Sequence, residues 1–269
     1  MSKLNDVFAN ARKKNKSVLI GFITGGDPSP ETCVKIAKEL VKQGVDIIEL
    51  GIPFSDPIAD GPTIQASSYR ALRSGVTPHI VLDIAKRITA EVDVPIVILT
   101  YYNPVFKIGL DKFFTIASQS NVAGIVVPDL PPEESTTYRQ IARKNNIDTI
   151  YLVTPNTEEN RLEEIIQSTT GFIYLITLFG VTGARESFTS TSQQIASSVI
   201  NKVNGRIPIA VGFGVSKPEH VKLFTDIGVD SVIVGSALIK IITKNIEHEN
   251  KIIEEIKEYV KKLVPETYR

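Results

Sequence analysis

The strongest constraint on the fold is a repeated alternation, along the whole chain, of a short apolar run with a segment of helical periodicity. Short, mostly apolar runs are typical of parallel strands that are covered by helices. Eight strands are predicted, at Ser17–Ile23, Val45–Leu50, Val94–Thr100, Ala123–Val127, Asp148–Val153, Phe172–Thr177, Ile207–Val211 and Val229–Val234. Eight βα units in 269 residues indicate an α/β protein with a closed (β/α)8 barrel.

An open, doubly wound parallel sheet is the competing topology. Such a sheet normally needs fewer units and carries a G-x-G-x-x-G fingerprint after its first strand. The first predicted strand is followed by Thr24-Gly25-Gly26-Asp27, which lacks that spacing. Because no linker or low-complexity segment interrupts the chain, residues 1–269 are predicted to form a single domain.

Helices beyond the basic barrel are also predicted. An N-terminal helix that covers one end of the core is indicated by the spacing of Leu4, Val7, Phe8 and Ala11. Two helices, at about residues 63–74 and 78–90, follow the second strand. Ser29 before Pro30 predicts a helix start, and Ser216-x-x-Glu219 predicts a capping box.

Composition excludes several functional classes. Lys plus Arg and Asp plus Glu number 30 each, so no net basic charge favours nucleic acid. The single cysteine, Cys33, excludes an internal disulfide and fits a reducing compartment, and the histidines share no metal-ligand spacing. No apolar run reaches the ~20 residues of a membrane span, and no signal-peptide core follows Met1. We therefore expect a soluble, cytoplasmic protein that binds no metal, membrane or nucleic acid.

The second predicted strand delivers a carboxyl group, Glu49, close to its end. Glu49 has the same parity as Ile47, so both side chains face inward if one does. At the barrel mouth, loss of water would raise the pKa of Glu49 and let it transfer a proton near neutral pH. A structural carboxylate tied to a neighbouring hydroxyl is the alternative.

Further acids follow the strands. Asp60 lies on the loop after the second strand, where it can fold over the site, although a solvated loop acid or a cap for the helix after Pro62 is equally compatible. Asp27 and Asp129 also follow strands and are weaker candidates.

The loops after the last three predicted strands are rich in glycine: Gly180–Gly183, Gly212–Gly214 and Gly235-Ser236. Glycine lets backbone N–H groups approach an anion, and Gly235-Ser236 opens a helix whose N-terminus favours negative charge. Tight turns alone explain any single loop. Their recurrence favours a phosphate held by backbone dipoles, with Arg185 as a further candidate.

Apolar and aromatic residues at strand ends could surround an organic ring, although core packing also explains each one singly. They are Phe22, Leu99, Tyr101, Tyr174 and Phe213. Together with the acids and the glycine loops, they predict an enzyme that acts on a phosphorylated small molecule with a hydrophobic part. Carboxylate acid/base chemistry is expected, because no nucleophile elbow or cofactor-lysine signature is present.

The stretch from Glu49 to Gln65 is similar to the signature of the tryptophan synthase alpha chain family. The resemblance extends over nearly the whole chain, through Gly21–Pro28, Tyr101–Pro104, Pro128–Pro131, Gly180–Gly183, Val211–Gly214 and Gly235–Ala237. It implies a TIM-barrel lyase of L-tryptophan biosynthesis, without a cofactor in this chain. The implied reaction is the retro-aldol cleavage of indole-3-glycerol phosphate to indole and D-glyceraldehyde 3-phosphate.

The resemblance also implies site residues. Glu49 would protonate indole C3 and take a proton from the glycerol hydroxyl, and Asp60 would accept from the indole N–H. The implied indole pocket is Phe22, Leu99, Tyr101 and Tyr174, the implied phosphate site is Gly183, Gly214, Gly235 and Ser236, and Thr182 would act in loop closure.

The family works with a beta chain that uses pyridoxal phosphate, in an alpha2beta2 heterotetramer. The resemblance places Pro53 and Asp56 at the interface with that chain. Leu178-Phe179 depart from the small or polar residues that family members often carry there, so loop closure is expected to differ.

Three other functions compete with the implied lyase. A non-catalytic regulatory barrel is disfavoured by Glu49 and Asp60, and a phosphate-handling isomerase by the lack of a suitably placed basic residue. A free-standing lyase that releases indole is the third.

Overall fold

The computed structural model describes residues 2–177, 185–212 and 214–269, with no side chains for residues 185–191. Its strands are β1 (Val18–Thr24), β2 (Ile47–Gly51), β3 (Ile96–Leu99), β4 (Val122–Val126), β5 (Asp148–Val153), β6 (Ile173–Ile176), β7 (Ile209–Gly212) and β8 (Ser231–Val234). They pair in chain order, and β8 pairs with β1 to close a parallel barrel. The predicted (β/α)8 fold is confirmed, and the open sheet is excluded.

Helices surround the barrel and add to the basic βα repeat. They are α1 (Lys3–Lys13), α2 (Pro30–Lys42), α3 (Pro62–Arg73), α4 (Pro78–Glu91), α5 (Tyr102–Ile108), α6 (Leu110–Gln119), α7 (Thr136–Lys144), α8 (Glu159–Ser168), α9 (Arg185–Val203), α10 (Pro218–Asp226), α11 (Ser236–Lys244) and α12 (Glu249–Leu263). Short 3-10 turns lie at Pro132–Glu134 and Val264–Thr267. Two helices follow β2, as predicted, whereas the short helix α5 was not predicted.

Helix α1 closes the amino end of the barrel. Its Leu4 and Phe8 are buried, and a Cβ atom added at Gly124 or Gly171 would lie 2.9 or 3.1 Å from Leu4 Cδ1. Glycine at these two positions therefore leaves the space that the Leu4 side chain fills. The predicted N-terminal helix over one end of the core is confirmed.

At the opposite end of the barrel, the carboxyl end, the strand register determines which side chains lie next to one another. Phe22 of β1 pairs with Glu49 of β2, and Leu99 of β3 pairs with Val126 of β4. Leu152 of β5 pairs with Tyr174 of β6 in the same way. Because side chains alternate along a strand and paired positions share a face, these residues all face the barrel interior toward its carboxyl end.

The two predicted helix caps have different outcomes. Ser29 Oγ accepts a hydrogen bond from the Thr32 N–H at 3.1 Å, so the predicted cap of α2 is confirmed. The predicted capping box at Ser216 is wrong: the N-cap of α10 is Lys217, which makes no side-chain cap hydrogen bond. The Ser216 N–H donates instead to His220 Nδ1 at 3.3 Å.

Candidate active site

A cavity of about 120 Å³ opens at the carboxyl end of the barrel. Its apolar wall consists of strand-end residues: Phe22, Leu99, Val126, Leu152, Tyr174 and Ile233. Ala59, Asp60, Gly61 and Ile64 line one side, and Gly214, Val215, Gly235 and Ser236 line another. The cavity therefore combines an apolar interior with one carboxyl group and a glycine-rich edge, which suits a ligand with a ring and an anionic end.

Three of the four residues predicted for an indole pocket, Phe22, Leu99 and Tyr174, line this cavity. Val126 and Leu152 do so as well, although they were not predicted. A signal for both was present in the sequence, because each occupies the same strand-end position as a predicted residue.

Tyr101 is placed differently from that prediction, since it is absent from the cavity wall and stands behind the Asp60 loop. Its hydroxyl accepts a hydrogen bond from the Ala59 N–H at 3.0 Å and donates one to the Asp60 carboxylate. Its ring packs on Phe54, with ring centroids 5.2 Å apart. Tyr101 thus holds the loop that carries Asp60.

Glu49 is fully buried, and neither of its carboxylate oxygens has a hydrogen-bond partner in the described part of the chain. Burial raises the pKa of Glu49 to about 8, with a smaller contribution from the negative charge of Asp60. Glu49 also helps to raise the pKa of Tyr174, so it lies near a residue that lines the cavity. A structural carboxylate tied to a hydroxyl does not describe this arrangement, since a neutral, proton-bearing carboxyl group is favoured instead.

Asp60 is partly buried at the cavity edge. Burial raises its pKa to about 6, and the hydrogen bond from Tyr101 opposes that shift. The N-cap of α3 is Gly61, without a side-chain cap hydrogen bond, so Asp60 does not cap this helix. Two neighbouring carboxyl groups with pKa values of about 8 and about 6 provide an acid and an anion at neutral pH.

The glycine-rich edge includes three of the predicted phosphate residues, Gly214, Gly235 and Ser236. Gly214 has a φ of +82°, a left-handed conformation that favours glycine. Gly235 precedes α11, whose first residue is Ser236, so the N-terminal N–H groups of that helix face the cavity edge. Thr182, Gly183, Leu178-Phe179 and Phe213, with the side chain of Arg185, lie outside the described residues.

The predicted interface loop lies beside the site. Pro53 is buried, whereas Asp56 is exposed and its Oδ2 accepts a hydrogen bond from Ser55 Oγ at 2.5 Å. Two large apolar side chains beside this loop are exposed, Ile58 at 83% and Tyr69 at 62%. A concentration of exposed apolar side chains is typical of a surface that another protein covers.

The two weaker acidic candidates have structural partners. Asp27 forms a bidentate ion pair with Arg70 of α3, and its side chain is fully buried. Asp129 Oδ1 accepts a hydrogen bond from the Tyr102 N–H at 2.8 Å, at the start of α5. Neither residue lines the cavity.

Across residues 2–177, 185–212 and 214–269, no cluster of histidine, cysteine and acidic side chains could hold a metal ion. Among the described helices, none is both long enough and apolar enough to cross a bilayer.

Comparison with known proteins connects this site to one family. A sequence model described as "Tryptophan synthase alpha chain" matches residues 8–267. The tryptophan synthase alpha chain of Methanoregula boonei is 44% identical over 262 residues, 97% of this chain and 96% of that protein. The alpha chain of Arabidopsis thaliana is 41% identical over 260 residues, 97% of this chain and 94% of that protein.

Solved structures agree with the sequence comparison. A chain from the tryptophan synthase a2b2 complex of Pyrococcus furiosus is 41% identical, with a TM-score of 0.87 over 93% of this chain and 99% of that chain. A chain of Mycobacterium tuberculosis tryptophan synthase is 32% identical, with a TM-score of 0.89 over 100% of this chain and 99% of that chain.

Proposed function

Because this chain belongs to the tryptophan synthase alpha chain family, we propose that it catalyses the alpha reaction. In this reaction, indole-3-glycerol phosphate is cleaved to indole and D-glyceraldehyde 3-phosphate. The observation that carries the proposal is Glu49, a buried carboxyl group without a hydrogen-bond partner in the described part of the chain, next to a second acid. Burial of such a group costs folding stability, and a carboxyl group with a perturbed pKa beside a cavity is a candidate for proton transfer.

The first step is protonation of the ring. With a pKa of about 8, Glu49 carries its proton at neutral pH and donates it to indole C3. The ring then becomes a positively charged indolenine. Asp60, with a pKa of about 6, is mostly ionised at that pH; it accepts from the ring N–H and stabilises the positive charge.

The second step breaks the carbon–carbon bond. The Glu49 carboxylate, left by the first step, takes the proton of the hydroxyl on the carbon attached to C3. The C–O bond becomes a carbonyl, and the electrons of the breaking C–C bond return to the ring. The products are indole and the aldehyde, and Glu49 regains its proton. No electron donor or cofactor is needed in this chain.

The remaining contacts follow the shape of the cavity. Phe22, Leu99 and Tyr174 surround the ring, and Gly214, Gly235 and Ser236 bind the phosphate through backbone N–H groups. Gly183 would add to the phosphate site, and Thr182 would close over Asp60 to exclude water. Tyr101 supports this arrangement through Asp60 rather than through contact with the ring.

The chain is proposed to act in the cytoplasm with a tryptophan synthase beta chain, in an alpha2beta2 assembly. The related Pyrococcus furiosus protein forms an a2b2 complex. The exposed apolar side chains beside Pro53 and Asp56 favour this loop as the contact surface. Pyridoxal phosphate would belong to the beta chain.

Replacement of Glu49 tests the proposed chemistry. Glu49→Gln removes the transferable proton with little change in volume, so indole release should fall by roughly 10²- to 10⁴-fold. Indole should be measured with and without an added beta chain, and binding of glycerol 3-phosphate should persist.

Glu31→Gln is the matched control, because the Glu31 side chain is 66% exposed on α2. Indole release by Glu49→Gln at the parent rate would overturn the mechanism. If the parent chain released no indole but still accelerated the beta chain, a regulatory role would replace catalysis.

A further inference from the structure

A hydrogen-bonded network outside the cavity joins three βα units of the barrel. Asp27, in the loop after β1, accepts from Arg70 Nε at 3.0 Å and from Arg70 Nη2 at 2.7 Å. The same Nη2 donates to Thr243 Oγ1 at 3.0 Å. Arg70 belongs to α3 and Thr243 to α11, so one guanidinium group connects the β1 loop with two helices.

Each of these two helices begins at a different edge of the cavity. Helix α3 begins at Pro62, directly after Asp60 and Gly61, and α11 begins at Ser236, directly after Gly235. Under the proposed function, Asp60 meets the indole N–H and Gly235-Ser236 meet the phosphate. The separation of the two helices therefore sets the distance between the two ends of the substrate site.

The geometry of the Arg70 guanidinium group fixes the distance between α3 and α11. A fully buried carboxylate such as Asp27 is stable only with a paired cation, and the Arg70 side chain is itself only 24% exposed. The planar guanidinium satisfies two carboxylate oxygens and a hydroxyl at fixed angles. A lysine ammonium is a point charge and cannot reproduce that fork.

Helix α3 has other anchors to β1, which separates the role of Arg70 from general stability. Thr24 Oγ1 and Ser67 Oγ lie 2.6 Å apart in the buried interface between β1 and α3. Ser67 Oγ also donates to the Ile64 carbonyl at 2.8 Å. Since the Thr24–Ser67 contact already holds α3 against β1, what Arg70 adds is a hydrogen bond from α3 to α11.

We propose that Arg70 is a positioning residue that sets the span between the Asp60 edge and the Gly235-Ser236 edge of the site. This inference rests on the proposed function, because only a ligand that touches both edges is sensitive to the span. The affinity for a ligand that touches only one edge should not depend on this span. Glycerol 3-phosphate is such a ligand, since it lacks the ring.

The test compares a spanning ligand with a one-ended ligand. In Arg70→Lys, KM for indole-3-glycerol phosphate should rise roughly tenfold, whereas Kd for glycerol 3-phosphate should change by less than about twofold. Thr243→Val keeps the Asp27–Arg70 pair and removes only the acceptor on α11. Its KM should rise roughly two- to fivefold.

The controls separate span from stability and charge. Thr243 is exposed, so Thr243→Val should fold even if Arg70→Lys does not. Arg87→Lys is the matched substitution, because Arg87 pairs with Glu31 at 3.6 Å on the surface, and it should match the parent. Thermal midpoints of all variants should be measured together with the kinetics.

Each alternative outcome has a distinct meaning. If Thr243→Val and any folded Arg70→Lys keep the parent KM, or if both ligands weaken equally, Arg70 serves only the stability of the fold. If the parent chain releases no indole with its beta chain, the proposed function fails and this inference fails with it. A raised KM for the spanning ligand alone supports the inference.

Discussion

At the scale of single residues, the proposed site depends on one carboxyl group, Glu49, to which no described residue gives a hydrogen bond. Glu49 is fully buried, with a pKa of about 8, and Asp60 next to it has a pKa of about 6. Both shifts come chiefly from the loss of water. The protein thus keeps the proton on Glu49 at neutral pH, at the expense of its own stability.

The stability of the parent chain should therefore depend on pH through Glu49. An unfolded chain releases the Glu49 proton near pH 4.5, whereas the folded chain holds it up to about pH 8. Between these values the folded state binds more protons, so the free energy of unfolding falls as pH rises. Glu49→Gln has no carboxyl group to titrate, so its free energy of unfolding should not fall in this way. The difference in free energy of unfolding, Glu49→Gln minus parent, should therefore increase from pH 4.5 to about pH 8, by on the order of a few kcal/mol.

Urea unfolding of both proteins at several pH values measures this difference. Glu31→Gln should run parallel to the parent, because its side chain is exposed. Parallel curves for Glu49→Gln and the parent would show that Glu49 does not hold its proton in the folded chain.

Single residues also show how far sequence reasoning reaches. The positions of Glu49 and Asp60 were predictable because Glu49 lies on β2 near its carboxyl end and Asp60 lies on the loop that follows β2, and the loops after the strands meet at one face of a barrel. The partnership of Asp27, Arg70 and Thr243 was not predictable, since its members are separated by 43 and 173 positions in the chain. Neither periodicity nor local spacing contains such a contact.

At the scale of helices, strands and loops, sequence patterns predicted a feature correctly where its contacts join residues close together in the chain. The Ser29 cap lies three residues from its donor and was predicted correctly. Helix α5 was missed because the acceptor for its first N–H group, the Asp129 carboxylate, lies 27 residues further along the chain. The capping box at Ser216 failed because a neighbouring histidine accepts the hydrogen bond of its N–H.

The loop between β2 and α3 gives a prediction at this scale. Tyr101→Phe removes the acceptor for the Ala59 N–H and the hydrogen bond that lowers the pKa of Asp60. The Asp60 pKa should therefore rise above about 6. Because the proposed role of Asp60 requires its ionised form, kcat/KM for indole-3-glycerol phosphate should begin to fall at a higher pH than in the parent as the solution is acidified.

A pH–rate profile of indole release measures that shift. Tyr151→Phe is the matched control, since the Tyr151 hydroxyl donates to Ser135 Oγ instead of to the Asp60 loop. Coincident acidic limbs in Tyr101→Phe and the parent would separate Tyr101 from the control of Asp60.

At the scale of the whole molecule, stability and function occupy opposite ends of the barrel. Helix α1 fills the amino end through Leu4, and the cavity opens at the carboxyl end. The closed barrel itself was predictable from eight repeated units, because short parallel strands with helical connections leave few other topologies. The side-chain closure of the amino end at Gly124 and Gly171 depends on packing that the sequence pattern does not encode.

Truncation of Leu4 tests this division. Leu4→Ala leaves a cavity between α1 and the barrel, which should lower the free energy of unfolding by about 2–5 kcal/mol. Turnover at 25 °C should stay near that of the parent, because the site lies at the other end. Denaturant unfolding and an indole assay measure the two effects, with the exposed Lys13→Ala on the same helix as control. A loss of turnover without a loss of stability would contradict the division.

The closure of the amino end by Leu4 also affects how ligands enter and leave the cavity. Because α1 closes the amino end, the cavity is reached from the carboxyl face, and under the proposed function the substrate and both products would pass through that face. A segment of this chain or a partner subunit that covers the carboxyl face would then control how long the two products are retained. Under the proposed function, a charged triose phosphate and an uncharged indole ring would therefore both leave through the face that a partner can cover.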